Sequence, residues 1–197
     1  MIFGLFDRGF ADTTFDLYRS IVAEARRPIF YVEHAVPDTV TARFDMIVLM
    51  MAVVLHRLRA EPFPPAGVKV VTGWRATDPH ELGRQLLDLF FTEMDQSLRE
   101  MGIGDVAVPK RIKKLASAWN GRVQAYDAAL AADDADTFAQ AIARNVFAGV
   151  EDRSGAAALA RHALAAEAVL AATPLADVLA GRISWPDPST TLSRIPS

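Results

Sequence analysis

A chain of 197 residues with a formal net charge of -3 fits one domain with a sizeable core and has no global attraction to nucleic acid or an anionic membrane. Its composition, 51% hydrophobic and 23% charged, argues against global disorder and against a polytopic membrane protein. The absence of cysteine excludes disulfides, thiolate metal sites and a cysteine nucleophile, and fits a reducing compartment, with the cytoplasm expected.

Met1-Ile2-Phe3-Gly4-Leu5-Phe6 meets charge at Asp7-Arg8 and has no basic n-region, so it does not read as a signal peptide. Phe15, Leu17, Tyr18, Ile21, Val22 and Ala25 recur near helical spacing, which predicts a helix over 13–26 that Pro28 closes. Residues 28–37 are too short for more than a turn or an extended connector. Asp38 or Thr39 caps a second helix running to Arg59, stopped by Pro62-Phe63-Pro64-Pro65. Its apolar run, Met46 to Leu55, is ten residues long, whereas a membrane span needs about 20. Being apolar all round, it is expected to be the buried central helix. Residues 60–78 read as a loop, with Val68-Lys69-Val70-Val71 as one strand-like fragment.

Asp78-Pro79-His80-Glu81 is a capping-box start for a long helix to Met101. Leu82, Leu86, Leu89, Phe90, Met94, Leu98 and Met101 form its apolar stripe, and Arg84/Asp88 and Asp95/Arg99 pair on the outside. Gly102-Ile103-Gly104 ends it. Pro109 opens the cleanest amphipathic helix, with Ile112, Leu115, Ala116, Trp119, Val123, Tyr126 and Leu130 on one face. After Asp133-Asp134 come a helix near 135–149 and an alanine-rich last helix from a Ser154 cap to Ala172. The expectation is an all-α domain of five to seven helices over 1–183, with little or no β-structure and a mobile tail at 184–197.

Little in the chain carries chemistry. His34, His56, His80 and His162 never form the helical spacings HExxH, HxxxH or ExxH, so they read as scattered surface or helix-end residues, and no metal or other cofactor is expected. No Walker A sequence, GxSxG or GxGxxG occurs, and Glu93 and Asp95, two apart on a helix, diverge. Catalysis is not expected. The informative charge feature is Lys110, Arg111, Lys113, Lys114 and Arg122, with no acid between Val106 and Tyr126. Four of these cations sit in the first helical turns, where the macrodipole disfavours them by roughly 0.3–1 kcal/mol near the terminus. The stretch is either a solvated face or a docking point for phosphate or carboxylate groups of RNA, lipid or protein. Met46, Met50, Met51, Met94 and Met101 lie on the two most apolar helices, suited either to core packing or to a groove for an irregular apolar partner.

Several stretches, in this order and spacing, resemble the ubiquinol-cytochrome c chaperone family. They are Pro37-Asp38-Thr39 with Ala42-Arg43-Phe44, Leu89-Phe90-Phe91-Thr92-Glu93-Met94-Asp95, and Leu98 through Asp105. Val108-Pro109-Lys110-Arg111 through Asn120-Gly121-Arg122, Ala125-Tyr126-Asp127 and Ala143-Arg144-Asn145 extend the likeness to residues 12–150. The resemblance implies a non-catalytic helical chaperone that binds newly made cytochrome b and supports assembly of respiratory complex III. Mitochondrial members also act at the ribosome exit with a small partner, whereas this compact chain resembles bacterial members. Many relatives carry Leu-His-Val where this chain reads Leu49-Met50-Met51, so a role for that histidine does not carry over. The expected contact residues are Phe44, Met50, Met51, Phe91, Met94, Asp95 and Met101 for the client, with Lys110, Arg111, Lys113, Lys114 and Arg122 facing a ribosome, a membrane surface or another partner. DNA is not expected among the partners, and the location is the cytoplasm or the inner face of the cytoplasmic membrane. An RNA- or ribosome-associated helical module without catalysis is the alternative, resting on the basic stretch alone.

Overall fold

The computed structural model describes residues 12–61, 78–100, 102, 104 and 107–192, apart from the side chains of residues 111 and 114. Among the described residues there are nine helices and no strand. Six are long: α1 (Asp12–Ala25), α3 (Val40–Arg59), α4 (Pro79–Glu100), α5 (Val108–Ala132), α6 (Ala135–Asn145) and α7 (Gly155–Ala172). Three are one turn or little more: α2 (Pro28–Val32), α8 (Leu175–Val178) and α9 (Pro188–Thr191). The all-α expectation holds, and the short helices are what sequence periodicity has no length to reveal. The loop and short strand expected over 62–77 lie outside the described residues.

Helix α3 is the axis of the molecule, with α1, α4, α5, α6 and α7 packed around it. Every residue from Phe44 to Leu55 is buried, as is Leu58. Fully burying one Leu, Val or Met is worth about 1.5–3 kcal/mol, so this run is a large part of what holds the bundle together. Its start is set by Thr39, whose Oγ1 accepts from the Ala42 amide at 3.2 Å.

The other starts follow local chemistry too. Asp78 Oδ1 accepts from the Glu81 amide at 2.9 Å, opening α4. The Glu81 carboxylate turns instead to Arg84 and Gln85, leaving the capping box half made. Asp133 takes the left-handed conformation (φ 50°) that ends α5, and Asp134 caps α6 by accepting from the Asp136 and Thr137 amides. Ser154 makes no side-chain cap on α7, contrary to expectation; its own amide donates to Asp152 Oδ1. Ser154 is itself in the helical conformation (φ -59°, ψ -29°), whereas a capping residue is extended, and the start of α7 is fixed by packing instead. A Cβ on Gly155 would fall 1.8 Å from the His34 carbonyl oxygen, so only glycine lets α7 start against the turn after α2.

Residues 184–192, expected to be mobile, are docked instead. Trp185 Nε1 donates to Ser20 Oγ of α1 at 2.9 Å, and Leu192 is buried. Thr191 Oγ1 lies 2.7 Å from His162 Nδ1, and His162 Nε2 lies 2.9 Å from Glu24 Oε1 of α1. His162 is completely buried, edge-on to Phe30, which corrects its reading as a surface histidine. An otherwise alanine-rich helix masked it: partners 138 and 29 residues away leave no local spacing signal.

The centrality of α3 gives a direct test. Leu49→Asp places an unpaired charge where there is no exposure, and is expected to destabilise the domain by more than about 3 kcal/mol. Urea unfolding followed by far-UV circular dichroism checks this; a midpoint close to the native one would make α3 peripheral.

Candidate functional site

Helices α4 and α5 fold back on each other as a hairpin joined through residues 101–107. Gly102, at φ 77°, turns the chain out of α4, its amide donating to the Arg99 carbonyl at 2.9 Å. At the hairpin's base the apolar stripes of both helices meet the core. Phe90 has no exposure and stacks 5.0 Å from Trp119 and 5.4 Å from Phe44 of α3, with Phe91 6.0 Å from Trp119. Beyond this base burial becomes uneven: Leu98 and Val108 near the tip are enclosed, but the stretches between are not. Every residue from Phe91 to Ser97 is only half-buried, and so are Ile112, Leu115 and Ala116 on the facing stripe. Two helices alone cannot cover their own apolar faces, because each has neighbours on one side only.

Of the expected contact residues, the hairpin gathers Phe91, Met94 and Asp95 on α4 and Lys110 and Lys113 on α5, with Phe44 buried at its base. Asp95 is engaged by Arg99 Nε at 2.7 Å on the surface. Lys110 and Lys113 are exposed and make no ion pair among the described residues. Met101 and the side chains of Arg111 and Lys114 lie outside the described residues.

Three expectations are corrected. Met50 and Met51 have no exposed surface, since α3 is enclosed on every side, so they build the core and cannot touch a partner in this state. Arg122 does not project to solvent with the other cations. Its Nε lies 3.0 Å from Asp45 Oδ1, its Nη2 3.4 Å from Oδ2, and its guanidinium 5.9 Å from the Phe44 ring centre. Asp45, the polar break in the enclosed run of α3, is completely buried.

This ion pair is poorly satisfied. Despite the short separation, neither Asp45 Oδ1 nor Arg122 Nε makes a well-directed hydrogen bond. Burial pushes the Asp45 carboxyl up to about 7, and the Arg122 charge offsets only part of that rise. Beside it, burial also raises the Tyr126 phenol, whose oxygen accepts from Asn145 Nδ2 at 3.1 Å. Sequence reading took Asp45 as the edge of an apolar run and Arg122 as one of a basic group. Spacing held the signal: Arg122 stands three after Trp119 and four before Tyr126, on the buried side of α5.

The fold thus defines an all-helical protein, among the described residues, that carries a partly buried apolar hairpin. The sequence profile described as ubiquinol-cytochrome C chaperone matches residues 32–185, and the chain belongs to that family. Among solved structures, the crystal structure of the Cbp3 homolog from Brucella abortus is similar: 38% identical, with 90% of each chain covered and a TM-score of 0.75. Among curated proteins none matches.

The raised Asp45 carboxyl predicts a pH signature. Its folded pKa lies above the ordinary 3.8, so the folded chain holds this proton more tightly than the unfolded one. The resulting stability is fully present below pH ~4 and is lost as pH rises through about 7. Asp45→Asn carries no such titration. Urea midpoints at pH 5 and pH 8 should show the native chain losing stability relative to the variant, by an amount on the order of a few kcal/mol. Parallel profiles would mean that Asp45 stays ionised in the fold.

Proposed function

We propose that this chain is an assembly chaperone of respiratory complex III whose hairpin receives an apolar helix of newly made cytochrome b. Family membership supports the assembly role and a non-catalytic mode of action. The observation that carries the choice of site is the change in burial along the hairpin, from Phe90 and Trp119, almost wholly enclosed, to Phe91, Met94, Ile112 and Leu115, half open. A hydrophobic client helix laid there would complete the cover that α4 and α5 lack. Methionine and phenylalanine suit a client of irregular shape. The same hairpin supports proximity to a membrane or ribosome, since Lys110 and Lys113 are exposed cations that suit an anionic surface. We extend the proposal to a working location in the cytoplasm or at the inner face of the cytoplasmic membrane, which exposed lysines on the hairpin would suit.

Photo-crosslinkers at Met94 and Leu115 should capture cytochrome b in cells that are building complex III. Capture from α7 or α9 but not from the hairpin would overturn the site.

The basic turns are tested by Lys110→Glu with Lys113→Glu. Acidic charge suits a helix N-terminus, so stability should hold or rise by roughly 0.3–1 kcal/mol per residue. Complex III content, read by haem b absorbance in membranes, should nevertheless fall. A stable variant with unchanged complex III would make these lysines a solvated face.

A further inference from the structure

Helix α5 has two unlike halves. From Tyr126 onward it is tied down: Tyr126 to Asn145 of α6, and Asp127 to His56 at 2.8 Å and to Arg59 at 3.2 Å, both on α3. Before Trp119, Val108 is enclosed at the start of the helix but Ile112, Leu115 and Ala116 are only partly buried, and among the described residues no hydrogen bond or ion pair links residues 108–121 to α3. The Asp45–Arg122 pair stands at the junction, directly under the Phe44–Phe90–Trp119 cluster. We propose that this pair is a latch: it closes the base of the hairpin in the empty chain and parts when an apolar client segment enters, admitting the client to the aromatic cluster beneath.

The chemistry suits a contact made to be broken. Both ions are withdrawn from water, yet neither the buried carboxylate oxygen nor the buried guanidinium nitrogen gains a well-directed hydrogen bond in exchange. Opening returns the Arg122 guanidinium to solvent, so the polar part of the contact resists opening less than an apolar pair of the same size would. Sparse burial in the neighbouring half of the helix lowers the cost of local opening further. The Arg122 side chain retains 18% exposure against none for Asp45, so water reaches the pair from the α5 side first.

The client half of this inference rests on the assembly reading above; the latch itself can be measured on the isolated chain. Hydrogen exchange of the native protein should show amides of residues 112–122 exchanging at least about tenfold faster than those of 126–132. In Asp45→Leu with Arg122→Met, an apolar pair of similar size, that gap should shrink to less than about threefold while the unfolding midpoint holds or rises. Asp45→Asn with Arg122→Gln, neutral and still able to hydrogen-bond, should move the gap the same way and serves if the first variant does not fold. A pair that only sets the register of α3 on α5 would leave the gap unchanged, as would one already closed in every state; either result overturns the latch. Cytochrome b capture from a crosslinker at Met94 is read in parallel. It should drop severalfold in the closed variant, and equal capture from both chains would overturn the latch. No capture even by the native chain would overturn the assembly reading instead, with the exchange data still deciding whether the pair opens.

Discussion

Everything in this molecule is arranged around a helix with no outside. Once Met46 to Leu55 is apolar on every face, α3 has to be ringed, and the other long helices spend their apolar stripes on ringing it. Apolar contact is non-directional, so it secures the ring without specifying how each helix is rotated or where it stops. Directional groups supply that information: Thr14 Oγ1 to Gln85 Oε1 sets α1 against α4 at 2.9 Å, and Asp127 sets α5 against His56 and Arg59. Asp45 belongs to the same set but is placed deeper, where a charge is least welcome.

The hairpin shows the opposite condition. α4 and α5 each carry an apolar stripe, yet between Phe90 and Leu98 on one and between Val108 and Trp119 on the other those stripes are only partly covered. A protein concerned only with its own stability would shorten these helices or add a further one. Keeping 22 and 25 residues in two helices that are only partly used by the core makes sense if something else uses the remainder. Surface ion pairs such as Arg84 with Asp88 and Arg99 with Asp95 keep the outward faces soluble, and each contributes little to stability.

What was legible in the sequence was whatever depends on near neighbours. Helical spacing and capping residues located α1, α3, α4, α5, α6 and α7 to within a few residues, because a helix is decided by contacts three and four positions apart. The likeness of Leu89–Asp105 and its flanks to a known family led to the hairpin. What stayed hidden was made of long-range pairs. Arg122 looked like one more cation because its partner is 77 positions away, and His162 looked unremarkable because Glu24 and Thr191 lie near opposite ends of the chain. Met50 and Met51 illustrate the same limit from the apolar side: the sequence says that they are hydrophobic, and only the ring of helices says that no partner reaches them.

The junction of Glu24, His162 and Thr191 bears on how the chain acquires its shape as it is made. During synthesis α1 emerges early, but the imidazole that faces it is 138 residues downstream and the hydroxyl that completes the set is 29 further on. Until residue 191 has left the ribosome, α1 has no polar anchor on α7, and the Trp185 contact to Ser20 is missing as well. The bundle can therefore gather around α3 while its seam is still open, as contacts between distant parts of a chain generally form late. This chaperone thus depends, for its own completion, on an interval in which distant parts of its chain are still apart.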